Sequence, residues 1–360
     1  MSTASTADGP GTRPARSRGR TLLQGALGLG LAAALLVWGL PRVAHVTWPQ
    51  IWHVLSGVPA TTALFLLGGV VVGLYCYTFT LTGSLHGLRH WQALIVNVAG
   101  SSVGNLLPGG GAAGLAATYT ICRSWGFSRR DISTSAIVTG VWNVLARIAL
   151  PLVAIAALLA GADSDVPGAL KDAAVAGGIS GAIILGIFVA ILVSEPAAVA
   201  IGRGLDKVLG RLFKRRNMSV EALVIDLRAR ISDIVRTGWL SMTLGLVGFF
   251  GIYYVLFLVC MHTTGVRLFY GQLFAAYALG RLLTAVGVTP GGLGVTEAAT
   301  SAALIAWGAD PAEAVAGAVL FSVYTHLMEI PLGALGWLAW SLSPKKEPVE
   351  DVTTPEASRA

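Results

Sequence analysis

Charge is scarce in this 360-residue chain: Asp, Glu, Lys and Arg make up 12% of it, about half the share of an average soluble domain. With 54% of residues hydrophobic and several apolar stretches of about 20 residues or more, a water-soluble fold is excluded and bilayer-spanning helices are implied. Cysteine is scarce too. Cys76, Cys122 and Cys260 lack the paired or clustered spacing that a disulfide framework or a zinc site requires, and they read as small buried hydrophobes. No soluble domain is available to present a basic face to nucleic acid, so the net charge of +7 needs another explanation. The basic residues lie beside the apolar spans, as expected opposite an anionic inner leaflet. Deep histidine is also short. His326 and Glu329 form an H-x-x-E pair, but a catalytic zinc needs a third ligand; no metal, cofactor or catalytic residue is expected.

What the chain has in abundance is glycine, 45 residues, placed where apolar segments break. Residues 1–20 read as a disordered basic tail. Full spans are expected at Thr21–Leu40, Ala60–Leu81, Ile132–Ala160, Ala173–Val193, Trp239–Met261 and Ala314–Trp340. The first lacks an A-x-A site and is read as a retained span rather than a signal peptide. Residues 42–58, with Trp48 and Trp52, suit the membrane interface. Residues 196–237 read as a polar cytoplasmic region holding an amphipathic helix, N-capped by Ser219 and preceded by Lys214, Arg215 and Arg216. Residues 343–360 form a polar tail.

Two further apolar segments are interrupted at their centres. Residues 91–126 break at Pro108-Gly109-Gly110-Gly111, and residues 272–308 break at Pro290-Gly291-Gly292. If both turn back on the side they entered, Lys and Arg fall twenty inside, three outside (Arg42, Lys171, Arg267) and two within the membrane (Arg147, Arg281). That split obeys the positive-inside rule; a full crossing by the first segment would send Arg123, Arg129 and Arg130 outside. An offset of 182 aligns Pro108 with Pro290 and Trp125-Gly126 with Trp307-Gly308. The predicted fold is an all-α integral membrane protein of six full spans and two re-entrant helical hairpins, arranged as an inverted repeat with both termini cytoplasmic. The first repeat covers 21–160 and the second 161–342. Paired Gly/Pro interruptions of this kind point to a midplane binding site in transporters.

The membrane interior holds four charges: Arg147, Arg281, Glu297 and Glu329. Unpaired charges there are costly, so two pairs are expected, Arg281 with Glu297 across the second hairpin and Arg147 with Glu329 across the pseudo-two-fold axis. Gly291, Gly292 and Gly294 would let a headgroup approach the backbone, and free N–H groups opening the second arm favour an anion. Arg281 adds a cation suited to phosphate, Thr289 and Thr296 offer hydroxyls, and Glu297 is a counter-charge or proton carrier. The first hairpin contributes Asn97, Ser101, Ser102 and Asn105 as a neutral polar stripe ahead of Pro108, Gly109 and Gly110.

The run RLLTAVGVTPGGLGVTE, Arg281 to Glu297, resembles the signature of the lysylphosphatidylglycerol synthase transmembrane family, also called flippase-like proteins. The resemblance extends over roughly Thr21 to Leu342 and is weaker at the first hairpin, NLLPGGGAAG, where Ala112, Ala113, Gly114 and Leu115 replace the polar residues common in relatives. It implies a domain that moves lipids between leaflets, in the best-known members an aminoacylated phosphatidylglycerol made by a separate soluble domain. The chain stops about eighteen residues after its last span, so aminoacyl-lipid synthesis by this polypeptide is not expected. The expected function is a plasma-membrane, multi-pass flippase for a phospholipid or polyprenyl-linked lipid. The competing readings are a non-catalytic subunit of a membrane or cell-envelope complex and a membrane-embedded transferase acting on a lipid-linked substrate. A homo-oligomer or an envelope-biosynthesis partner stays open.

Overall fold

The computed structural model describes residues 47–106, 110–160, 220–284 and 289–346, with Val37 and part of 179–203. Among these residues the chain is helical and free of strands. Local chemistry sets most helix starts. Thr47 and Gln50 cap α1 (Trp48–Ser56), the Thr47 N–H donating to Gln50 Oε1 at 2.8 Å. Pro59 precedes α2 (Ala60–Ser84). Ser128 and Asp131 cap α5 (Arg129–Ala160) reciprocally, with the Asp131 N–H on Ser128 Oγ at 3.0 Å. Asp310 accepts from the Ala312 and Glu313 N–H groups to open α9 (Pro311–Ser322), whose first residue is a proline with no N–H to satisfy.

Four segments are long and apolar enough to cross a membrane: Ala60–Ser84, Arg129–Leu158, Ile234–Thr263 and Pro311–Leu342. They match the second, third, fifth and sixth predicted spans. The first predicted span apart from Val37, most of the fourth, Ser219 and the 214–216 basic cluster lie outside the described residues, although Gly181–Ile191 forms a shorter apolar helix. One boundary differs. The amphipathic segment and the fifth span are a single helix, α6 (Val220–Thr263), about 66 Å long at 1.5 Å per residue. Thr237-Gly238 does not break it, because Gly238 is where α6 meets α2. A Cβ at Gly238 would lie 2.1 Å from the Gly83 carbonyl oxygen, so only glycine allows this approach.

Both interrupted segments double back. Helix α3 (His90–Leu106) and α4 (Gly110–Arg123) pair closely where Gly110 meets Gly104 and Gly114 meets Gly100. Helix α7 (Tyr270–Leu283) and α8 (Val295–Ala306) flank a 3-10 turn at Pro290–Gly292. At 17, 14, 14 and 12 residues, none of the four reaches crossing length. Helices α4 and α8 also end alike. The Phe127 N–H reaches Cys122 O and the Ala309 N–H reaches Leu304 O, with Gly126 at φ 92° and Gly308 at φ 93°. The two caps are 182 residues apart.

The last span is not one α-helix. A π-helical turn, Val323–Leu327, separates α9 from α10 (Glu329–Leu342), closed by the Met328 N–H on Val323 O at 3.0 Å. The core gathers around α2, α6, α7 and α9, with Leu74, Tyr253, Phe257, Tyr277 and Phe321 buried together. The end of α10 is tied to the α4–α5 connection, where Trp340 Nε1 donates to Ser124 Oγ and Trp125 Nε1 donates to Ser343 Oγ.

Candidate functional site

The two broken segments meet tip to tip. Gly291, at φ +61°, presents its backbone to Asn105, whose Oδ1 would lie 3.0 Å from an added Cβ. Around this meeting point is a cavity of about 220 Å³ lined by polar and charged side chains. Asn97 and Ser101 come from α3, Asn143 and Arg147 from α5, and Arg281 from α7. The π turn and the start of α10 add His326 and Glu329.

The charges inside are not arranged as two ion pairs. Arg147 donates from Nη1 to the Arg281 carbonyl at 2.9 Å and to the Thr284 hydroxyl, so it satisfies a carbonyl in the last turn of α7. Glu329 accepts from Asn105 Nδ2 at 3.0 Å, and its other oxygen lies 3.4 Å from the Tyr253 hydroxyl. The expected Arg147–Glu329 pair is therefore replaced by two residues lining one cavity with separate partners. A helix ending in a buried interior leaves carbonyls without partners, and an adjacent arginine answers that need before it answers a distant carboxylate.

The Arg281–Glu297 pair is likewise absent. The Glu297 carboxylate is 2% exposed and turns back on its own helix, accepting the Gly294 N–H at 2.6 Å and the Ser322 hydroxyl of α9, with Thr296 Oγ1 at 3.0 Å. It occupies the N-terminal N–H that the sequence offered to an anion. Arg281 instead sits in an aromatic box. Its guanidinium carbon lies 5.0 Å from the Phe321 ring centre, 5.6 Å from Tyr277 and 5.9 Å from Tyr253. The residue is 7% exposed and its Nε has no hydrogen-bond partner among the described residues.

The remaining predicted residues divide between cavity and scaffold. Thr289 is spent on Leu293 O at 2.7 Å, and Gly292 and Gly294, at φ +77° and +84°, shape the turn. Pro290 belongs to that turn. Gly110 serves the packing of α4 on α3. Pro108 and Gly109 lie outside the described residues.

A family model of the lysylphosphatidylglycerol synthase TM region matches residues 25–333 of this chain. The chain belongs to that family. No curated protein gives a significant match. In this lysylphosphatidylglycerol synthase TM-region protein, a membrane protein of a lipid-related family, the site also includes residues that sequence reasoning passed over. Asn143 donates to the Tyr77 hydroxyl at 2.7 Å, and both line the central cavity. Asn143 was detectable, being four residues before Arg147 on the same helix face. Tyr77 and Tyr253 carried no signal, since aromatics on apolar spans are ordinary.

Two further spaces share lining residues with the cavity, and a third lies apart from it. A vestibule of about 420 Å³ lies among α2 to α5, from Leu85, Cys122 and Ile132 inward to Asn97, Ser101 and Asn143, which it shares with the central cavity. On the other side of Arg281 is a remnant of about 20 Å³ bordered by Phe257, Thr300, Phe321 and Ser322. An apolar cleft of about 460 Å³ runs between α5 and α6, lined by Trp142, Ala146, Leu150, Val247 and Phe250.

Proposed function

We propose that this protein is a plasma-membrane carrier, not an enzyme, that moves a lipid with a charged headgroup between leaflets. It does so by alternating access to a midplane site between two inverted repeats. The observation that carries the reading is the central cavity: Arg147, Arg281 and Glu329 in one polar space at the meeting of two broken helices, joined to a vestibule. Ionisable groups at that depth are costly, and where they line a cavity they mark a substrate path.

Two other features support it. Shifted by 182, the vestibule residues Thr118, Ala136, Thr139 and Gly140 fall on Thr300, Ala318, Phe321 and Ser322, which border the small remnant. One repeat's space is thus open and its counterpart's closed, with Phe321 filling what Thr139 leaves empty. By the positive-inside rule, Arg89, Arg123, Arg129 and Arg130 put the open mouth at the cytoplasmic leaflet, making this the inward-open state with α3–α4 and α7–α8 as re-entrant hairpins. The apolar cleft lies on α5 beside Asn143 and Arg147, where an acyl chain would run while its headgroup occupies the cavity.

The test is headgroup movement in proteoliposomes with a panel of labelled lipids. Wild type should move at least one, and Arg147→Gln and Arg281→Gln should each slow it by about tenfold or more. Equal rates in wild type and both variants would sink the proposal.

A further inference from the structure

The four intramembrane charges sum to zero in the sequence, but the fold divides them unevenly. Glu297 is committed to the Gly294 N–H and the Ser322 hydroxyl and does not line the central cavity. Arg147, Arg281 and Glu329 do. Arginine keeps its proton in proteins, so two fixed positive charges meet at most one negative. Helix ends do not restore the balance, because each broken segment brings one C-terminus and one N-terminus to its tip and their half-charges oppose.

Arg281 adds an independent observation. A buried guanidinium ordinarily spends its donors, yet Nε here has no partner among the described residues. The rings of Tyr253, Tyr277 and Phe321 stabilise the cation without neutralising it and hold it in place. Such a cation, fixed and unpaired beside a second one, is arranged for an acceptor-rich anion.

Resting on the transport reading above, we infer that the cavity selects a headgroup whose single net negative charge is carried by a phosphate ester, and rejects a headgroup of net positive charge. Phosphate oxygens accept from Arg281 and Arg147, the geometry for which a guanidinium is suited. Glu329 and Asn105, 3.0 Å apart, remain to take a hydroxyl of the same headgroup. A lysyl-esterified headgroup carries two ammonium groups against one phosphate. It would bring a net positive charge into a cavity that is already positive, where low dielectric magnifies the repulsion. The chain therefore differs in cargo from what its family name suggests.

The experiment is thermal unfolding of the purified full chain in neutral detergent, titrated with dihexanoyl phosphatidylglycerol, dihexanoyl phosphatidylethanolamine, dihexanoyl lysylphosphatidylglycerol and glycerol 3-phosphate. Stabilisation should follow that order for the three lipids, with the anionic lipid at least about tenfold tighter than the cationic one. Arg281→Gln should erase the preference for the anionic over the zwitterionic lipid, and Arg281→Lys should keep it. Glycerol 3-phosphate matching the anionic lipid would uphold the charge preference and make the ligand a soluble phosphate ester. Cationic lipid binding as tightly as anionic, or no phosphate ligand binding at all, overturns the inference. Absence of transport with the binding order intact would refute the carrier and leave the charge preference standing.

Discussion

Glu297 offers the sharpest test of how this site is built, because sequence and structure give it different work. As a headgroup ligand or proton carrier, its removal would abolish function and spare the fold. As a buried cap, its removal does the reverse. Truncation by Glu297→Ala leaves two buried donors, the Gly294 N–H and the Ser322 hydroxyl, without acceptors. At about 1–3 kcal/mol for each, the lost cap being the first of the two, the cost is about 2–6 kcal/mol. Glu297→Gln keeps one acceptor oxygen, and the Ser322 hydroxyl can rotate to meet the new amide, so it should cost about 1 kcal/mol or less. Denaturant unfolding in detergent should therefore rank wild type, Gln and Ala in that order. Headgroup affinity per folded molecule should stay within about twofold throughout, because Glu297 does not line the central cavity. An alanine variant as stable as wild type that no longer binds any lipid would refute the reasoning and restore Glu297 to the site.

Other expectations follow from the same geometry. Gly238→Ala places a methyl 2.1 Å from the Gly83 carbonyl and should destabilise the α2–α6 pair by about 1–3 kcal/mol or more, whereas Gly68→Ala, with nothing within 4 Å, should stay within about 0.5 kcal/mol; unfolding in detergent separates them. Gly291→Ala forces φ +61° on an alanine and crowds Asn105, so transport should fall and stability drop by about 1–2 kcal/mol. Single cysteines at Thr118 and Thr300 should differ in reaction with a membrane-impermeant maleimide: Thr118→Cys labels from the cytoplasmic side and Thr300→Cys resists until the protein turns outward. Equal labelling of both would count against a closed outer pathway.

Much of this protein was legible without coordinates. Four spans appear where 20-residue hydrophobicity placed them, and the helices on either side of the two Pro-Gly clusters are separate, because a proline followed by glycines cannot pair its backbone within a helix. The same reading isolated Arg147, Arg281, Glu297 and Glu329, since composition alone marks a charge in an apolar segment. It divided the amphipathic segment from the span that starts at Trp239, whereas one helix, α6, runs through both and Gly238 serves packing against Gly83.

Partnership, by contrast, belonged to the tertiary structure. Pairing by equal depth or by repeat position treats charges as points seeking opposite points. In the folded chain three of the four first meet a nearby backbone or polar side-chain group: Arg147 the end of α7, Glu297 the start of α8, Glu329 the side-chain amide of Asn105. Those neighbours come from elements up to 224 residues apart, and no local pattern encodes them. Sequence thus determined the membrane setting, the breaks and the identity of the buried charges, because these depend on composition and short-range periodicity. Which carboxylate lines the cavity and which arginine stays unpaired was decided only when the helix ends came together, because hydrogen bonding in a low-dielectric interior rewards the closest unsatisfied group.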